Sequence, residues 1–108
     1  MSGTTPPEPP YVAVIFTSLR RPDHDEEYAV AAARMLELAA GQPGFLGVDT
    51  ARGADRFGIT VSYWRDEESV RAWRRHAAHV PVQRAGRERW YERFAVHVAR
   101  VERSYRFP

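Results

Sequence analysis

Trp73, His76 and His79 stand at helical spacing in the segment Val70-Arg-Ala-Trp-Arg-Arg-His-Ala-Ala-His79, shortly after a stretch that ends in Tyr63 and Trp64. An imidazole is the side chain that takes and returns a proton near neutral pH. Set among large rings where a strand meets a helix, it has the makings of a general base in an aromatic-lined pocket. The candidate catalytic residues are therefore His76 as base and Trp73 as pocket wall, with one of Arg84, Arg87 and Arg89 as the cation for an anionic substrate oxygen. Tyr63, Trp64, His79, Trp90 and Phe16 are the candidates for holding a flat substrate. A plainer reading stands beside this one. Trp73, His76, Ala77 and Val80 follow i, i+3, i+4, i+7 spacing, the mark of a helix face pressed on a core. In that reading the arginines are solvated charge.

Other chemistries find less support. His76 and His79 form an H-x-x-H pair, but no carboxylate at helical spacing joins them, so no metal site is expected. The chain has no cysteine, which excludes disulfides, thiol nucleophiles and cysteine-bound zinc. Neither G-x-G-x-x-G nor a P-loop follows a strand, and no G-x-S-x-G elbow surrounds a serine. Phe57-Gly-Ile-Thr-Val-Ser-Tyr63 hints at an RNA-recognition strand. It lacks the leading basic-glycine pair and is otherwise apolar, so a nucleic-acid partner is not expected.

With 108 residues the chain makes one domain, long enough for a single core. All 16 basic residues are arginine, and the net charge is only +2. Acids and bases are interspersed, as where Glu67 and Glu68 precede Arg71, which suits a solvated helix face. No apolar run reaches membrane-spanning length and no signal-peptide core opens the chain, so the cytoplasm is the expected location.

The elements that must position these residues follow from periodicity. Residues 1–10 are proline-rich and read as a disordered tail before a domain over 11–108. Tyr11 to Leu19 is apolar on both parities, a strand buried on both faces. Asp23 or Asp25 is the expected N-cap of a helix running to about Ala40, which Gly41 and Pro43 end. Phe45–Arg52 and Phe57–Trp64 read as strands joined by a hairpin at Gly53–Arg56. A helical region over Glu67–Glu88 is broken by Pro81. A long strand from Trp90 to about Tyr105 carries Phe94, Val96 and Val98 on one parity, with Tyr91, Ala95, Ala99 and Val101 on the other.

The order β-α-β-β-α-β is a ferredoxin-like α+β arrangement with a four-stranded antiparallel sheet. Two helices cover one face only, yet the first and last strands are apolar on both. A homodimer is the expected remedy, with two sheets packed face to face and the last strand reaching the partner.

Gln42-Pro-Gly-Phe-Leu-Gly-Val48, Tyr63-Trp64-Arg-Asp-Glu-Glu-Ser69, Ala72-Trp73 with His76 and His79, and Arg87-Glu-Arg-Trp-Tyr91 resemble the antibiotic biosynthesis monooxygenase superfamily of dimeric α+β barrels. The resemblance runs from about Tyr11 to Phe107. It implies a cofactor-independent monooxygenase that oxidises an aromatic phenol or hydroquinone with O2, with His76 as base, Trp73 with Trp64 or Tyr63 as slot walls, and Arg87 as the donor to the anionic oxygen. The alternative is a non-catalytic dimer that holds an aromatic or haem-like ligand. Haem-degrading members carry a histidine where this chain has Gln83, and an asparagine on the first strand; this chain contains no asparagine. Haem is therefore disfavoured, and no cofactor is expected.

Overall fold

A computed structural model describes residues 7–78 and 85–108. Strands β1 (Tyr11–Arg20), β2 (Phe45–Arg52), β3 (Phe57–Trp64) and β4 (Tyr91–Val101) alternate with helices α1 (Asp25–Ala40) and α2 (Glu67–Ala78) in the order β-α-β-β-α-β. The strands form one antiparallel sheet in the order β2-β3-β1-β4. This is the ferredoxin-like arrangement expected from the sequence. Pro81 lies outside the described residues, as do residues 1–6 of the proline-rich segment.

Local chemistry explains the boundaries. The residue before α1 is His24, in the left-handed conformation at φ 59° and with no side-chain cap. Neither Asp23 nor Asp25 caps the helix. The Asp25 carboxylate is drawn to two guanidinium groups instead, Arg20 and Arg56, each at 3.0 Å. Asp25, Glu26 and Glu27 still place negative charge in the first turn, where the helix dipole favours it. Asp66 caps α2: its Oδ1 accepts from the Ser69 amide at 2.8 Å and the Ser69 hydroxyl at 2.7 Å. Gly44, at φ 84°, makes the turn into β2, and a Cβ there would run into Ser69 Oγ.

α2 is described as far as Ala78, and after residues 79–84, which lie outside the described residues, a π-helical turn over Gly86–Trp90 leads into β4. β4 stops at Val101, so the last strand is shorter than expected. Tyr105 and Phe107 beyond it are almost fully exposed.

Register sorts the two faces of the sheet. Val12, Val14, Phe16 and Ser18 of β1 pair with Trp64, Ser62, Thr60 and Gly58 of β3. The same four pair with Arg100, Val98, Val96 and Phe94 of β4. These side chains face the helices. The core there is Val12, Ala39, Trp64 and Val70, with Val14, Phe45 and Trp73 packed against it. At its start β4 carries a bulge: Leu19 pairs with Arg93 but Arg20 with Tyr91. The extra residue moves Tyr91 onto the helix side beside Phe94, where strict alternation had put it opposite.

The other face carries no helix. It presents Ile15, His97, Val61, Ile59 and Phe57, and the last two are 43% and 40% exposed. Among the described residues no helix is long and apolar enough to cross a membrane.

Candidate functional site

Helix placement leaves part of the helix-side sheet uncovered. α1 packs on β2, and α2 packs on β1 and β3. β4 lies beyond them, and its helix-facing Phe94, Val96 and Val98 are 42%, 41% and 42% exposed. With Phe16 and Val14 beside them on β1, they form an open apolar strip, the trough, along β1 and β4. From Val98 to Phe94 it is about 13 Å long, at about 3.3 Å per strand residue. A contiguous apolar surface of this kind marks an interaction or ligand site.

A ladder of rings stands at one end. Phe45 meets Trp64 edge-on at 5.4 Å, Trp64 stacks on Trp73 at 5.9 Å, and Trp73 stacks on His76 at 5.9 Å. The ladder grades from inside to outside. Trp64 is fully buried, with its indole N–H donated to Ser62 Oγ at 2.9 Å. Trp73 is half-buried, and His76 is exposed. Trp64 therefore backs the wall, and Trp73 is the ring a ligand would meet. Val70 and Ala77 take the core positions of α2 with Trp73, which leaves His76 on the flank of the helix and outside the core.

At the opposite end of the sheet lies a polar cluster. Tyr91 contacts Phe16 at 5.4 Å and Phe94 at 5.8 Å, and its hydroxyl is 3.3 Å from that of Tyr28 on α1. Burial, and then the bond with Tyr28, raises the Tyr91 phenol far above its ordinary pKa, so it stays protonated. Arg52 Nη2 donates to Tyr28 OH at 3.3 Å and to Ser18 Oγ at 2.7 Å. The Arg20 guanidinium lies 3.9 Å above the Tyr28 ring. Arg20, 5% exposed, also donates to Asp25, to the Asp23 carbonyl at 2.8 Å and to the Trp90 carbonyl at 3.3 Å.

The residues singled out in the sequence are thus divided. Trp64, Trp73 and His76 come together, and Phe16 lies on the trough floor. Tyr63 does not join them: it neighbours Trp64 in a strand and points to the opposite face. There it packs edge-on against Tyr11 and donates to Asp49 Oδ2 at 2.9 Å. Burial, then that bond, pushes its phenol up to about 12. Trp90 is buried at the far end of the sheet, donating its indole N–H to Glu27 at 2.9 Å. Arg87 is exposed on the turn just before it, away from the Trp73–His76 ladder. Val12, beside Trp64, and Arg20, beside Tyr91, are about 26 Å apart along β1. His79 lies outside the described residues. Among the described residues no group of three His, Cys, Asp or Glu side chains could hold a metal ion.

Tyr28 and Arg52 were not anticipated from the sequence. Their one signal was Gly58, whose missing side chain lets the Arg52 guanidinium lie across the strand. A Cβ there would come within 2.6 Å of Arg52 Cζ.

The model of the antibiotic biosynthesis monooxygenase family matches residues 10–85. The uncharacterised protein YqjZ of Bacillus subtilis is 50% identical over 94% of this chain and 88% of its own length. A jasmonate monooxygenase of Pyricularia oryzae is 31% identical over 87% of this chain, which spans 45% of that longer protein. Among solved structures, a point variant of the cofactor-independent oxygenase SnoaB of Streptomyces nogalater superposes with a TM-score of 0.76 at 17% identity. The match covers 89% of this chain and 97% of that one. Rv0793 of Mycobacterium tuberculosis gives 0.74 at 18% identity, over 88% and 99% of the two chains.

Proposed function

The chain belongs to the antibiotic biosynthesis monooxygenase family, and from that premise we propose that it oxidises a flat aromatic phenol or hydroquinone with O2, without a cofactor. The observation that carries this reading is the apolar trough on β1 and β4 with the Trp73–His76 stack at its end. The oxygenase named in one structural relative and the monooxygenase named in one sequence relative support the class of reaction. Fold alone carries no chemistry, so the reading rests on the site.

The steps balance without metal or flavin. His76 removes the phenolic proton, which leaves an electron-rich anion lying against Trp73. The anion gives one electron to O2, and superoxide joins the ring carbon para to the oxygen as a peroxide. Loss of that carbon's hydrogen as a proton breaks the O–O bond. One oxygen atom stays as the second carbonyl, and the other leaves as water with the proton His76 had held. Trp73 bounds the ring system at one end, Phe16 lies beneath it on the floor, and Trp64 holds Trp73 in place. The apolar floor offers no polar group that would compete for the anion.

Oxygen uptake with a hydroxylated anthrone in metal-free buffer tests the proposal, with one O2 consumed per quinone formed. The exposure of His76 favours a second reading, in which the trough holds an aromatic or haem-like ligand without turnover. Ligand binding with no oxygen uptake would support it, and a Soret shift on haem titration would identify the ligand class.

The site is expected to work in a homodimer in which the helix-free faces cover each other. Ile15, Ile59, Val61 and Phe57 supply the apolar surface for it. The cytoplasm remains the expected location.

A further inference from the structure

Tyr28 and Tyr91 hold a donor that neither the fold nor the ladder chemistry uses. Arg52 spends its terminal hydrogens on four acceptors: the Ser18 carbonyl at 3.1 Å, the Arg56 carbonyl at 2.6 Å, Ser18 Oγ at 2.7 Å and Tyr28 OH at 3.3 Å. The Tyr28 oxygen thus accepts from a cation and also shares one hydrogen with the Tyr91 hydroxyl at 3.3 Å. Two phenols that share one hydrogen have a second to give. Whichever way the shared bond points, one O–H finds no acceptor among the described residues. A charge-assisted bond into Tyr28 polarises that pair and makes the spare hydrogen a better donor. The Tyr91 ring is also part of the trough wall, since it lies against both Phe16 and Phe94. Gly86 fixes it from behind, where a Cβ would come within 3.3 Å of the ring.

We propose that the Tyr28–Tyr91 hydroxyl pair, backed by Arg52, is the oxygen-recognising end of the trough. It selects ligands with a hydrogen-bond-accepting oxygen, a ketone or phenolic oxygen, at one end of a flat apolar body. The inference rests on the trough being the ligand site. It adds a direction: an oxygen other than the one His76 deprotonates points toward Tyr91, and the body extends along Phe94, Val96 and Val98 toward Trp73.

The test uses two probes of one shape, 1-tetralone and its oxygen-free counterpart tetralin, titrated into the full chain and followed by the NMR signals of the valine methyl groups. Y91F and Y28F each remove one oxygen and keep the ring. The double variant Y28F/Y91F is expected to weaken 1-tetralone about tenfold while leaving tetralin unchanged, because the ketone then loses both O–H donors and the body loses nothing; each single variant keeps one O–H and should weaken it less. If the double variant keeps the wild-type ratio of the two affinities, the oxygen-recognising role is overturned and the trough stands. If neither probe moves the Val96 and Val98 signals of the wild-type protein, the trough reading falls and this inference falls with it.

Discussion

His76 is the residue on which the proposed chemistry turns. Replacing it with alanine is expected to lower oxygen uptake at least about 10²-fold if it is the base, with ligand affinity little changed. Retained uptake in H76A would transfer the role to another group. Trp64 belongs to stability. With its ring fully buried between Phe45 and Trp73, Trp64→Ala is expected to cost about 3–5 kcal/mol in denaturant unfolding. Two carboxylates contribute to the acid limit. The hydrogen bond from Arg56 depresses the Asp25 pKa in the folded state, and that from the Ser69 hydroxyl depresses Asp66. A group lowered in this way adds stability that is complete above its unfolded pKa of about 3.9, and that is lost as pH falls through the folded value. The melting temperature should therefore drop below about pH 4, and D25N and D66N should each flatten that drop.

Elements decide what the residues can reach. α2 begins where Asp66 caps it and where Gly44 passes close to Ser69, so one junction fixes the helix that carries Trp73 and His76. Gly44→Ala meets both a positive φ and a steric collision, and is expected to cost about 1–3 kcal/mol in a urea melt. Strand β4 supplies the trough. Val96→Glu puts a charge at its centre on a side chain that is already 41% exposed. It should abolish ligand binding while changing stability little, a contrast that separates a binding surface from a core. Much of this scale was legible beforehand. The bounds of β2 and β3 were read on either side of the Gly53–Arg56 turn, and the structure places both strands there. The bulge at Tyr91 was not, because one inserted residue reverses facing without altering the apolar count.

At the scale of the whole molecule, two helices cannot cover a sheet of four strands. The helices sit toward β1, β2 and β3, so apolar surface is exposed twice: on the trough beside β4, and on the helix-free face around Phe57 and Ile59, where Tyr11 and Ala13 are by contrast buried. The expectation is that a second copy covers that face and a ligand occupies the trough. Sedimentation velocity at micromolar concentration should report a dimer for the wild-type chain, and Ile59→Glu should convert it to monomer. A monomeric wild type would remove the second copy and leave the trough to be judged on binding alone.

Sequence by itself determined the order of elements, the absence of thiol chemistry and the family. Those depend on periodicity, composition and local turn residues, all of which are written along the chain. Tertiary structure alone decided which rings meet. Tyr63 and Trp64 are consecutive yet face opposite sides of the sheet, and Trp90 matches Trp64 in kind yet lies at the sheet's other end. Tyr28, Arg52 and Tyr91 come from a helix and two strands far apart in sequence, and only pairing register and the bulge in β4 bring them to one place. Proximity of that sort depends on long-range packing, which no local pattern encodes.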